Sequence, residues 1–231
     1  MDLRFDYAGI NYYGGQGFMV PAALGVSSAR ELDGAVICEV ENTFSALDFA
    51  NFALVNAISF EQITAQSLEE AAVSYNEGRC DGLVATEFQL LSLIEGKSDI
   101  QVEEHVVLPE RFSLYPQGPI VSSGDEGWTD IVRSVVAAVI TAEELGITQS
   151  NVRDLAAGTN NPEINRLLGA EGALGEMLGL SADWAVNVIE TVGNYGEIYE
   201  RNFGTLPPGF LDRGLNTIWT DGGLLYAVPF R

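Results

Sequence analysis

The chain has 231 residues, enough for one large domain or two small ones, and 47% of them are hydrophobic, which suits a packed core and not disorder. Its 33 acidic against 11 basic residues give a net charge of −22; with no Lys/Arg cluster, this field excludes nucleic acid as a partner and disfavours anionic membrane surfaces. No apolar run reaches the ~18 residues of a membrane span, and MDLRFDYAG carries two aspartates and no apolar core of a leader, so no signal peptide is read there.

Residues 5–20, FDYAGINYYGGQGFMV, hold two strand-like pieces around the Gly14-Gly15 pair. That pattern suits a chain crossing between two bodies better than a frayed terminus. From Gly34 to Leu108 strands and helices alternate. GAVICEV is a strand, Leu47 to Ile58 a helix, AISFEQI a strand, SLEEAAVSYNEG a helix stopped by Gly78, and DGLVATE a strand. A short helix around Leu90, Leu91 and Ile94 and the strand QVEEHVVLP follow. This alternation predicts βαβ units on a parallel sheet.

After Pro109 the texture changes. FSLYPQGPIVSS is a second extended segment and a candidate return crossing. Asp125 then opens a helix in which Trp128, Ile131, Val132, Val135, Val139, Ala142 and Leu145 form one stripe, and Gly146 ends it. Shorter helices are predicted in NVRDLAAG, in NPEINRLLGA with Pro162 in its first turn, and in SADWAVNVIETVG with Ser181 as N-cap. Few strands outside the central α/β unit remain to receive these apolar stripes.

Cys38 and Cys80 lie in strand-like runs, neither in a CxxC pair, and with His105 as the only histidine a zinc site is excluded. Adjacent strands can bring two cysteines within disulfide reach, and two buried thiols fit the residues equally well. Glu103, Glu104 and His105 sit on alternating faces and cannot converge on a metal. Asp48, Asp81 and Asp130 show no basic or hydroxyl partner in the pattern that would signal a catalytic triad.

The segments NYYGGQGFMV, GRCD, HVVLPE, DIVRSVVAAVITAEELGIT, NPEINRLLG, VGNYGEIYERN and RGLNTIWTDGGLLYAVPFR closely resemble the general L-amino-acid-binding periplasmic proteins of polar amino-acid ABC transporters. The resemblance runs from about Asp2 to Arg231. It implies a bilobed α/β fold of the type II periplasmic-binding-protein kind, with a chain that crosses twice between lobes. Residues 1–20 then correspond to the first crossing, 21–109 to a complete lobe two, and 110–231 to the return crossing and the mostly helical C-terminal part of lobe one. The N-terminal part of lobe one is expected to be lacking, which leaves the stripes of 128–145 and 181–193 in need of another partner and open to self-association.

The resemblance also implies a site. In the family a TGT-type turn at a helix N-terminus holds the ligand carboxylate, an aspartate takes the ammonium, and a lobe-one arginine pairs with the carboxylate. The turn falls on Glu41-Asn42-Thr43-Phe44-Ser45, where only Thr43 and Ser45 keep hydroxyls, Phe44 adds bulk and Glu41 repels a carboxylate. A plain helix cap explains the same residues. The ammonium position falls on Thr86, or on Glu87 with a one-residue slip, and Tyr13 lines the cleft or packs the hinge. The implied partners are an L-amino acid, bound weakly or not at all by this chain, and the permease subunits of the transporter. The implied location is the periplasm, whose oxidising chemistry allows a Cys38–Cys80 disulfide. No catalytic residue, metal or cofactor is expected. The rival readings are an interaction module or decaying paralogue without solute binding, and a small-acid dehydratase on the same scaffold.

Overall fold

The computed structural model describes residues 4–41, 44–94, 104–204 and 213–227. Contacts divide the chain into two compact units: Gly14–Tyr115 with Leu206–Asp212, and Met1–Tyr13 with Pro116–Thr205 and Arg213–Arg231. The strands β2 (Tyr12–Pro21) and β7 (Ser113–Gln117) carry the chain from one unit into the other.

The first of these, the sheet unit, is built on β3 (Val36–Val40), β4 (Glu61–Ala65), β5 (Gly82–Thr86) and β6 (His105–Val107) in the order β4-β3-β5-β2-β6, with β7 also on β2. β3 runs parallel to β4 and β5, while β2 closes the sheet antiparallel to β5 and β6. The parallel connections are α1 (Phe44–Asn56) and α2 (Leu68–Asn76), and α3 (Glu87–Ile94) follows β5 directly. The predicted strand AISFEQI begins later, at Glu61. The Ile58 N–H still bonds the Ala53 carbonyl at the end of α1, and Phe60 turns into the core.

That core is aromatic. Phe18 of β2 is fully buried, with the rings of Phe49, Phe52, Phe60 and Phe112 5.2–6.0 Å away. Ser67 caps α2 by accepting from the Glu70 N–H at 3.2 Å, and Gly78 (φ 71°) ends it. The turn that follows brings Cys80 beside β3, where it forms a disulfide with Cys38 across a Cα separation of 5.7 Å.

The helical unit opens with a two-stranded ribbon, β1 (Phe5–Tyr7) antiparallel to β8 (Ile120–Ser122). It continues through α4 (Glu126–Glu144), α5 (Val152–Ala157), α6 (Pro162–Leu167), α7 (Leu174–Met177), α8 (Trp184–Val192) and α9 (Tyr195–Phe203). Asp125 caps α4 through the Trp128 N–H, and α9 carries a full capping box, Asn194 with Glu197. Ser181 is not the cap of α8: Asp183 occupies that position without a side-chain bond to the helix N-terminal amides, and Ser181 contributes its carbonyl to the Trp184 N–H.

The apolar stripes find cover inside this unit. The C-terminal half of α4, through Ala138 and Ala142, packs with Trp184, Ala185 and Ile189 of α8 and with Ile164 and Leu167 of α6. Val139 and Ile140 pack with Tyr195 and Tyr199 of α9 and with Ile218 and Leu225. Helices therefore do the work expected of a sheet. Only the N-terminal end of the stripe stays open, with Trp128 53% exposed. Arg213 grips Glu143 through both guanidinium amines, at 2.5 and 3.0 Å, and stacks over the rings of Tyr195 and Tyr199.

Candidate functional site

In open α/β sheets ligands bind beyond the carboxyl ends of the parallel strands, where strand order reverses. Here those ends belong to β3 and β5. β5 finishes at Thr86 and α3 begins at Glu87, while β3 finishes at Val40 and α1 begins at Phe44. The sequence-derived candidates Thr86 and Glu87 thus stand at one strand end, and Phe44 and Ser45 form the first turn of α1. The side chains of Phe44 and Ser45, and Asn42 and Thr43 altogether, lie outside the described residues.

Thr86 is largely committed to its own helix. Its hydroxyl donates to Gln89 Oε1 at 3.0 Å and accepts from the Gln89 N–H at 3.3 Å, and the Thr86 N–H bonds the same Oε1 at 3.0 Å. This is a capping box with Gln at its third position. Glu87 is the more telling group. Its side chain is 10% exposed, its Oε1 accepts from Nε of Arg111, and its Oε2 accepts from the Gly15 N–H at 3.3 Å. Arg111 in turn donates from Nη1 to the Leu108 carbonyl at 2.6 Å.

The glycines of β2 make this arrangement fit. A Cβ on Gly15 would stand 2.4 Å from the Ser113 carbonyl oxygen, and one on Gly17 would press on Arg111 Nη1 at 3.3 Å. The glycine-rich stretch is therefore where a neighbouring backbone and an arginine approach closely, as a strand glycine signals.

A second polar chain crosses the same unit. Gln16, 2% exposed, donates from Nε2 to the Tyr115 hydroxyl at 3.0 Å, and that hydroxyl donates to Asp48 of α1. Burial first, and the hydrogen bond to Asp48 second, push the Tyr115 phenol above its ordinary value. Asp48 thus has a hydroxyl partner after all, and Asp130 has a basic one, Arg133 at 2.8 Å, because β7 and the next turn of α4 bring them alongside. Asp81 accepts from the Val36 N–H at 2.8 Å, a strand-capping contact.

The remaining candidates scatter. Glu41 is held by the Gln66 side-chain amide. Glu39 is 3% exposed with Oε2 lacking a hydrogen bond, and burial raises its carboxyl above the ordinary value. His105 faces Tyr75, its Nδ1 2.8 Å from the phenol oxygen, and burial lowers its basicity. Tyr13 belongs to the helical unit, where Asn216 bonds both its N–H and its carbonyl, at 2.6 and 3.1 Å. Sequence reading missed Arg111, Gln16 and Tyr115; the one signal for them was the crowding that Gly15 and Gly17 imply. Among the described residues no group of three His, Cys, Asp or Glu side chains is placed to hold a metal ion.

No protein-family model matches the chain. It is 44% identical over 233 residues to the glutamate/glutamine/aspartate/asparagine-binding protein BztA of Rhodobacter capsulatus, covering 100% of this chain and 68% of that protein. It is 44% identical over 232 residues to the general L-amino acid-binding periplasmic protein AapJ of Rhizobium johnstonii, covering 99% and 67%. Among solved structures, a periplasmic binding protein of Brucella ovis with glutathione bound superposes with a TM-score of 0.81 at 42% identity, over 100% of this chain and 72% of that one. BztA and AapJ are named as binding proteins and not as enzymes, and YhdW of Escherichia coli, 40% identical over 229 residues (99% of this chain, 67% of that protein), is named a putative amino-acid ABC transporter-binding protein. With that identity sustained along its whole length, on a sheet unit whose parallel strands end at Glu87 and at the head of α1, the chain belongs to the amino-acid-binding periplasmic proteins of ABC transporters.

Proposed function

We propose that this chain captures an L-amino acid, or a short peptide with free α-groups, in the periplasm and delivers it to the permease subunits of an ABC transporter. The family supports the transport role, and a disulfide suits an oxidising compartment. The sheet unit would serve as lobe two, and the helical unit as the C-terminal share of lobe one. The observation that carries the reading is Glu87, a mostly buried carboxylate at the end of β5 held by Arg111 and the Gly15 N–H. It is the anion offered to a ligand ammonium. Thr43, Phe44 and Ser45 are assigned to the ligand carboxylate and Thr86, the alternative to Glu87, to its ammonium, with Tyr13 as a further candidate.

Binding is expected to be weak, because an incoming ammonium must displace Arg111 from Glu87, and an exchange in which the ligand carboxylate takes the released guanidinium gains no net charge pairing. Titration calorimetry against a panel of amino acids and glutathione tests this. Millimolar binding that Glu87→Gln abolishes is the expected result. Silence across the panel would overturn the solute reading, and micromolar affinity would overturn the displacement argument. The helical unit also exposes Trp128, Trp219 and Tyr226, each more than half open to solvent, and self-association through them is expected to strengthen with salt as screening relieves the acidic repulsion. Sedimentation at two ionic strengths reads it, and a monomer at both would refute it.

A further inference from the structure

The helical unit contains a cavity of about 140 Å³ that the transport site does not use, lined by Arg166 of α6, the segment 169–182 that carries α7, and Trp184 of α8. The segment is held open by glycine. Gly169, at φ 81°, has its backbone against Ala182, where a Cβ would fall 1.9 Å from the carbonyl oxygen. Gly175 also approaches Ser181, with a Cβ placed 2.5 Å from its carbonyl oxygen. Such contacts fix the backbone on both sides of the space, so side-chain collapse cannot close it.

The wall chemistry is uneven in a useful way. The Arg166 guanidinium makes no hydrogen bond or ion pair with a described residue. Glu171 and Glu176 line the same cavity, yet neither pairs with it; Glu171 instead accepts from Asn165 Nδ2 at 3.3 Å. The floor is the Trp184 indole, 7% exposed, with Leu180 beside it. A cation and two carboxylates lining one cavity beside an indole and a leucine complement a molecule that carries both charges a few bonds apart. The volume, well below that of a drug-sized pocket at ~300 Å³ or more, limits the ligand to a few heavy atoms.

We infer that this cavity binds a small zwitterion of the size of glycine or L-alanine, its carboxylate on Arg166 and its ammonium on Glu176 and Glu171, independently of the site at Glu87. Titrating the ¹⁵N-labelled full chain with glycine, and separately with acetate and with methylammonium, tests it. Glycine is expected to shift the Trp184 indole N–H and the amides of Gly172 and Gly175, while the two single-charge probes leave them in place. Arg166→Gln should weaken the effect at least tenfold, Arg166→Lys should recover part of it, and Glu87→Gln should leave it unchanged. Shifts that persist in Arg166→Gln, or none with glycine at millimolar concentration, would overturn the inference. Movement confined to the Thr86 and Glu87 amides would do so as well, while leaving the transport reading intact.

Discussion

Replacing Arg111 by Met isolates the energetic role of the ion pair at the end of β5. Glu87 and Arg111 have side-chain exposures of 10% and 24%, so this is a largely desolvated pair and not a surface one. Removing one partner of a fully buried pair costs ~3–5 kcal/mol, because the survivor stays charged and alone. Here the Gly15 N–H still reaches Glu87 Oε2 at 3.3 Å, and a quarter-open arginine site admits water. Both reduce the loss, to about 2 kcal/mol. With a urea slope near 3 kcal/mol per M, the midpoint should fall by roughly 0.7 M. Urea unfolding of the disulfide-intact protein, followed by circular dichroism, measures this. Adding Glu87→Gln removes the carboxylate's charge and should recover about half of the loss, so the double-mutant coupling should be at least about 1 kcal/mol and larger by whatever Glu87→Gln costs alone. A loss below ~0.5 kcal/mol, the value of an exposed pair, would refute the reasoning.

Three further outcomes are expected. Thiol counting on the unfolded, unreduced protein should find neither Cys38 nor Cys80 free, and reduction should cost about 4 kcal/mol from the 42-residue separation they close. Gly15→Ala should destabilise by about 1–3 kcal/mol in thermal unfolding, since its Cβ meets a backbone oxygen that cannot swing away, whereas Gly25→Ala meets no atom and suffers only from its positive φ of 69°. Burial raises the folded-state pKa of Glu39, so its contribution is fully present below the ordinary value of 4.5 and is lost as pH rises through the raised value. Glu39→Gln should therefore flatten the fall in stability that begins just above pH 4.5, and identical curves for the two proteins would contradict the assignment.

Elements with strong periodicity were legible in the sequence. The βαβ alternation of 34–108, the stop at Gly78 and the opening of α4 at Asp125 follow from patterns of apolar spacing, glycine and cap residues. Boundaries set by tertiary contact were not. β4 starts at Glu61 because Phe60 is drawn into the phenylalanine core, and α8 starts after Asp183 because Ser181 lies against Gly175. The stripes of α4 and α8 were visible as stripes, but their mutual packing was not, since one helical face reads the same opposite a sheet or another helix. At the candidate site, resemblance directed attention to Thr86 and Glu87. The cation on Glu87 comes from Arg111, 24 residues later in the chain, and the hydroxyl on Asp48 from Tyr115, 67 residues later. No local pattern encodes a partner at that range.

Those long-range partners bear on how so acidic a protein discriminates among solutes. A net charge of −22 surrounds the chain with a field that concentrates cations wherever they come from. The carboxylates nearest the strand ends do not simply await them. Glu87 is held by Arg111, Asp48 by Tyr115 and Glu41 by Gln66. A bare cation would have to break such a contact and repay nothing to the group it displaces. A zwitterion is different, because its carboxylate can take the guanidinium that its ammonium releases, so the exchange conserves the number of paired charges. Binding through Glu87 and Arg111 together therefore favours molecules that carry both charges a few bonds apart. Being neutral overall, they gain nothing from the surrounding field, so their affinity should vary little with ionic strength, while that of a simple amine should fall steeply.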